Sequence, residues 1–285
     1  MEFHQLQILY GTDKTEENTT AKVLAAVKVG YRAIDTANGY GQYTPGPLQF
    51  FSAEEQVGSA LELLLKEGYK RSDFWIQTKY RDEDVGDSKE EIEHSIMQQF
   101  NTSLFRLNTT IDSYLLHFPY TLYEDEKISQ KDLLIWEVFE EMYNSGKVKA
   151  IGICNAMPHH LEQLIQQAKV KPMIVQDRYY ISDDPFLRNT IRKNICQGNN
   201  IQYQSYQNAF DNNKADLLEN IARKYNISSK AVIYSFEHQI GIVPLTGTVN
   251  EEHMKENLHA LALNFTDEEI RILGEEKCVN SESDL

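Results

Sequence analysis

Short apolar runs in this sequence end on side chains that move protons. Asp35 closes "YRAID" with Tyr40 five residues on, Lys79 sits at the end of "WIQTKY", and His117 follows "SYLL". Carboxylate, phenol, ammonium and imidazole are the usual groups of general acid–base chemistry. Further runs end in Cys154-Asn155, Gln176, Tyr206 and Thr246-Gly247-Thr248. Taken singly each has a plain structural use, since a lysine at a strand end is ordinarily a solvated cap and a histidine in "LLHFP" a core imidazole. Their common place, at the carboxyl end of one predicted strand after another, argues for a shared site.

The elements that must position them alternate. "QLQILYG", "YRAIDT", "DFWIQTKY", "IDSYLLHF", "KVKAIGICN", "KPMIVQD", "NIQYQSY" and "GIVPLTG" read as strands, separated by amphipathic helical runs. A single helical stretch is expected from Lys214 to Gln239. Ser88 before a Glu-rich first turn, Gly68 and Gly146 after helical runs, and Thr266 before Asp267-Glu268-Glu269 supply helix punctuation. Eight βα repeats without a linker predict an α/β fold, a single-domain (β/α)8 TIM barrel over 1–285, whose chemistry sits at the carboxyl ends of its strands. A doubly wound open sheet is the rival, and the absence of GxGxxG after the first strand weakens it. The segment from Gly41 to Phe51, "GQYTPGPLQFF", is an insertion on a strand-to-helix loop, read as a lid or a long loop.

Composition narrows the function. Lys+Arg 28 against Asp+Glu 43 gives a net charge of −15, the wrong sign for nucleic acid or an anionic membrane. No basic leader and no run of about 18 apolar residues is present, so a cytoplasmic protein is expected. The three cysteines are far apart and odd in number, which points to neither a disulfide framework nor a metal site.

"GYRAIDTANGY", "WIQTKY", "DSYLLHFP", "GKVKAIGICN" and "IVPLTGTVNEEHMKENL" together resemble, in order, the motifs of the aldo-keto reductase family. The resemblance spans nearly the whole chain. It implies NADPH-dependent reduction of aldehydes or ketones, with Tyr40 as proton donor, Lys79 as its electrostatic tuner, Asp35 as the lysine's partner and His117 orienting the carbonyl. It implies cofactor contacts at Gly11, Thr12, Asp35, Cys154, Asn155, Gln176, Tyr206, Gly247, Thr248, His253, Glu256 and Asn257, with Tyr43 and Phe118 at the substrate and no metal. A small carbonyl compound is the implied partner, and a monomer is the family's usual state. Alternatives are a sugar or polyol dehydrogenase running in the oxidative direction and a non-enzymatic, cofactor-binding regulatory subunit.

Departures from the family pattern bear on the cofactor. Cys154 replaces a serine donor, Phe118 a tryptophan, and His253 the phosphate-binding arginine, while Leu245 and Thr246 stand where a lysine is common. A permanently charged bidentate partner thus becomes a group titrating near pH 6.5. NADPH is expected, with NADH as an alternative.

Overall fold

The computed structural model describes residues 3–13, 18–43, 50–81, 86–121, 125–181, 188–210 and 212–274. Eight parallel strands close into a barrel: β1 (Leu9–Gly11), β2 (Ala33–Asp35), β5 (Trp75–Tyr80), β6 (Ser113–Leu116), β7 (Ala150–Cys154), β8 (Ile174–Ile181), β9 (Gln202–Phe210) and β10 (Ile242–Thr246). Closure comes from β10 pairing with β1, Leu9 opposite Leu245. The segment read as an insertion adds a separate antiparallel pair, β3 (Gly41–Tyr43) and β4 (Phe50–Ser52). Residues 44–49 between them lie outside the described residues, as does the stretch after Gly274.

Helices α1 (Thr19–Val29), α2 (Ala53–Lys66), α3 (Lys89–Leu107), α4 (Gln130–Asn144), α5 (Pro158–Gln167), α6 (Arg188–Gly198), α7 (Ala215–Tyr225), α8 (Ser229–Gln239), α9 (Glu251–Ala260) and α10 (Asp267–Gly274) surround the sheet. Local chemistry sets their ends. Ser88 and Glu91 form a capping box at the start of α3, and Gly146, with φ +73°, follows α4 in a conformation that favours glycine. The single helix expected from Lys214 to Gln239 is two. Asn226 takes the left-handed conformation that ends α7, and the Ser228 hydroxyl caps α8. Hydrophobic periodicity continues across this break, which is why the sequence pattern reads as one helix.

Strand alternation sorts the interior into layers. Along β5, Trp75, Gln77 and Lys79 point into the barrel. Trp75 packs with Leu6, Leu9, Leu115, Ile174 and Val243 as an apolar plug, against which the Phe3 ring lies at 5.7 Å. Above it is a polar layer: the Trp75 indole donates to Ser113 Oγ at 2.9 Å, and Ser113 Oγ donates to Gln77 Oε1 at 2.9 Å. Gln77 Nε2 in turn donates to Gln204 Oε1 and to Asp35 Oδ1, both at 2.7 Å. A larger apolar shell between sheet and helices, including Ile34, Val57, Ile96, Trp136 and Phe139, holds the barrel from outside. The interior therefore rises from a greasy base through an amide layer to the carboxyl rim.

Candidate active site

Asp35 ends β2 opposite Gln77, and Lys79 lies two residues further along the neighbouring strand. Lys79 Nζ reaches Asp35 Oδ2 at 2.6 Å and donates to the Thr36 carbonyl at 2.9 Å. Both side chains are buried. Burial works against the ammonium, but the Asp35 carboxylate beside it outweighs that cost and holds Lys79 above its ordinary range.

Tyr40 is placed by its loop. Its N–H donates to the Ala37 carbonyl at 3.0 Å, and its own carbonyl receives the first N–H of α2, from Ala53, at 2.9 Å. Asn38 ties the same loop to α3, donating to Ser103 Oγ at 3.2 Å, while Arg106 donates to the Asn38 carbonyl at 3.1 Å. The Lys79 ammonium then stands 5.0 Å from the Tyr40 ring centre, and His117 meets the ring edge-on at 5.5 Å. Burial pushes the Tyr40 phenol up; Lys79 pulls it down, more weakly, so the phenol carries its proton.

His117 follows β6 and stacks on Phe118 at 4.5 Å. Burial, reinforced by the positive charges of Lys79 and Arg81, pushes its pKa down to about 3, so the imidazole is neutral near pH 7. Its Nδ1 is buried without a hydrogen-bond partner among the described residues. A neutral imidazole carries one N–H, and the tautomer protonated at Nε2 avoids burying an unpaired donor. His117 is thus set up as a donor through Nε2.

Beside these groups the strand ends supply amides. Asn155, just past β7, takes φ +58°; its Nδ2 donates to the His117 carbonyl at 2.8 Å, and its Oδ1 accepts from the Tyr206 hydroxyl. Gln176 spends both N–H groups inside the protein, on Asp35 Oδ1 and Gln204 Oε1, each at 3.0 Å. Its Oε1 meets only the weak Cys154 thiol donor at 3.9 Å, so Gln176 remains chiefly an acceptor. Next to Tyr206 the β8–β9 register slips between Arg178 and Tyr180, and Gln207 takes φ +47°. Such a bulge re-aims side chains at a barrel rim.

A cleft of about 830 Å³ opens over this rim. Of the residues expected from sequence, Gly11, Asp35, Tyr40, His117, Phe118, Asn155, Gln176, Tyr206 and Gly247 line it. Lys79 lies beneath. A Cβ on Gly11 would stand 2.4 Å from Leu245 Cδ2, so a larger residue there would force Leu245 aside at the cleft wall. The remaining expected positions are not among its lining residues. Thr12 bonds Thr36 and the Asp35 carbonyl, Cys154 is packed in the interior, and the Thr248 carbonyl accepts from Tyr10. Glu256 grips Ser228 at the start of α8, and Asn257 donates to Thr246 Oγ1 at 3.2 Å. His253 is exposed on α9, whose first N–H groups are already taken by the Asn250 side chain. The Tyr43 side chain lies outside the described residues.

Sequence reading missed Asp13, Gly39, Asp177 and Gln207 in the lining, and with them Arg81, Arg178, Asn208, Lys230 and Tyr234. Arg81 and Arg178 follow or continue strands by two positions beyond Lys79 and Gln176, a period that could have identified them. Lys230 and Tyr234 come from α8 and had no such signal. Among the acids of the cleft, Asp35 is matched by Lys79 and Asp177 by Arg192 at 3.0 Å. Among the described lining residues Arg81, Arg178 and Lys230 then stand against Asp13, a positive excess in a chain of net charge −15. No metal-ligating group of three or more His, Cys, Asp or Glu occurs among the described residues, nor any helix long and apolar enough to cross a membrane.

An eight-stranded βα barrel with an acid–base cluster at its carboxyl rim defines a class of protein, and sequence comparison supplies the family. The sequence model described as "Aldo/keto reductase family" matches residues 5–209 and 204–276. The chain is 30% identical over 254 residues to a glyoxal reductase of Bacillus subtilis, covering 88% of this chain and 80% of that one. It is 28% identical over 302 residues to a glycerol 2-dehydrogenase (NADP(+)) of Saccharomyces cerevisiae, covering 95% and 88%. Among solved structures, an aldo/keto reductase from Brucella melitensis matches with a TM-score of 0.75 and 25% identity over 94% of this chain and 93% of that one. This chain belongs to the aldo/keto reductase family and is an NAD(P)H-dependent oxidoreductase.

Proposed function

We propose that this protein reduces aldehydes and ketones to alcohols with NADPH, Tyr40 acting as the acid. The observation that carries this reading is the Tyr40 phenol lining the cleft, with the buried Lys79 ammonium 5.0 Å from its ring and the His117 imidazole at its edge.

The residues present fit a nicotinamide dinucleotide. At the deep end Gln176 offers an acceptor and Asn155 a remaining N–H and lone pair, complementary to a carboxamide, while the Tyr206 ring supplies a flat face. Gly11 and Gly247 bring backbone to the wall, and Arg178 with Lys230 supplies positive charge for phosphate. A reduced nicotinamide held there supplies the hydride.

The protein's own groups manage the oxygen. As the carbonyl carbon is reduced, negative charge grows on its oxygen, and the His117 N–H and the Tyr40 hydroxyl are placed to receive it. Tyr40 then gives up its proton. The phenolate left behind is costly in a buried site, and Lys79 lowers that cost because its charge is held in place by Asp35. Asp35 is itself fixed by Gln77 and Gln176, so the ammonium has one stable position. Phe118 stacks on the imidazole and holds its ring plane.

The test follows NADPH absorbance with a panel of aldehydes and ketones, run in parallel with NADH. Tyr40→Phe is expected to lower turnover about 10²- to 10⁴-fold, the usual contribution of a positioned acid. Full activity in that variant would remove Tyr40 from the role.

A further inference from the structure

The cleft holds one cation that neither the proton-delivery site nor the cofactor reading uses. Arg81 follows β5 by one residue, and the alternation that turns Gln77 and Lys79 inward brings Arg81 to the mouth, one step above Lys79. Its backbone is clamped on both sides by α3: the Arg81 N–H donates to Gln99 Oε1 at 3.3 Å, and Gln99 Nε2 donates to the Arg81 carbonyl at 2.8 Å. The guanidinium makes no ion pair or hydrogen bond with any described residue, although the chain carries 43 acidic side chains against 28 basic ones. Arg71, Arg192 and Arg271, by contrast, all hold carboxylates. The Arg81 charge is also felt at His117, where it helps keep the imidazole neutral. Phe118, 44% exposed, adds an apolar wall to the same cleft.

A planar fork of donors is shaped for a carboxylate. We propose that the carbonyl substrate of this cleft bears a carboxylate, received by Arg81 at the mouth while its carbonyl meets Tyr40 and His117. This rests on the reductase reading. The two-residue rise from Lys79 to Arg81, about 7 Å, sets the separation of the two groups at one aromatic ring or a short chain. The carboxylate is a handle only: hydride adds to the carbonyl carbon, the Tyr40 proton to its oxygen, and the carboxylate leaves unchanged.

The experiment compares 4-carboxybenzaldehyde with its neutral counterpart 4-methylbenzaldehyde, measuring kcat and KM with NADPH and with NADH. Wild type is expected to favour the carboxylate. In Arg81→Gln the ratio of the two kcat/KM values should fall about 10- to 100-fold, the worth of a hydrogen bond to a charged group, mostly through KM for the acid. Arg81→Lys should recover part of that ratio, since it keeps the charge and loses the fork. Equal kcat/KM for both aldehydes in wild type, or an unchanged ratio in Arg81→Gln, overturns the assignment and leaves the reductase reading standing. Turnover of neither aldehyde with either cofactor defeats the reductase reading, and this inference with it.

Discussion

Lys79 Nζ and Asp35 Oδ2 lie 2.6 Å apart with side-chain exposures of 1% and 3%, a buried ion pair at the carboxyl rim of the barrel. Removing one member strands the other charge in a site built around its partner. Lys79→Met or Asp35→Asn alone is therefore expected to cost about 3–5 kcal/mol in denaturant unfolding. The double variant should cost less than the sum, because neither charge is left unmatched. Strict additivity would show that the two side chains do not depend on each other. Both single variants should also lose turnover, since each disturbs the charge beside Tyr40.

His117 offers a test that is independent of turnover. Burial and the nearby Lys79 and Arg81 charges push its pKa to about 3, below the ordinary 6.5. A depressed histidine contributes stability that is present above pH 6.5 and lost as pH falls toward 3. In an NMR titration its ring resonances should stay those of a neutral imidazole from pH 8 down to about pH 4, and kcat/KM should show no limb near 6.5 from this group. A measured pKa near 6.5 would mean the imidazole is wetter than the structure has it.

The barrel was legible because each repeat carries its own local signal: alternating strands, a Ser88 cap, a Gly146 stop. The rim groups Asp35, Tyr40, Lys79 and His117 were legible because strand ends in a barrel share one face, so order along the chain becomes proximity. What sequence could not supply is partnership. Gln77 reads as one more strand residue, yet it bridges Asp35 and Gln204 across the barrel at 2.7 Å each. Glu256 and Asn257 matched a family pattern, yet their side chains bind Ser228 and Thr246. Lys230 reaches the cleft only because Asn226 and Ser228 break the helical run and start α8 afresh. Those contacts are set by how helices dock, which one-dimensional periodicity does not encode.

Lys230 accordingly gives a prediction about cofactor choice. The loop after β10 offers no lysine or arginine, and His253 is not among the cleft residues, whereas Lys230 and Arg178 are. Lys230→Met should weaken NADPH binding about tenfold, as read by quenching of protein fluorescence, and weaken NADH less, because the extra phosphate adds charge. The NADPH affinity of the wild type should fall with added salt more steeply than that of the variant. Identical affinities in both proteins would place the phosphate contact elsewhere.

Glu237 carries the last prediction, one about stability. It lies on α8, fully enclosed, and reaches across to β9: Oε2 accepts from Ser205 Oγ at 2.6 Å and from Asn208 Nδ2. Its Oε1 has no hydrogen-bond partner among the described residues. Burial pushes its pKa up to about 7 from 4.5, against the pull of those two hydrogen bonds and of Lys230. The folded state therefore holds this proton more tightly than the unfolded chain does. The resulting stability is fully present below pH 4.5 and is lost as pH rises through about 7, a change of a few kcal/mol across that window. Glu237→Gln removes the titration while keeping an oxygen to accept from Ser205 and Asn208. Its unfolding free energy, compared with wild type at pH 5 and pH 8, should differ more at pH 8, where the variant is the more stable relative to wild type. Parallel pH–stability curves for the two proteins would show that Glu237 titrates as an ordinary carboxylate, and that the α8–β9 contact next to the cleft stays ionised throughout.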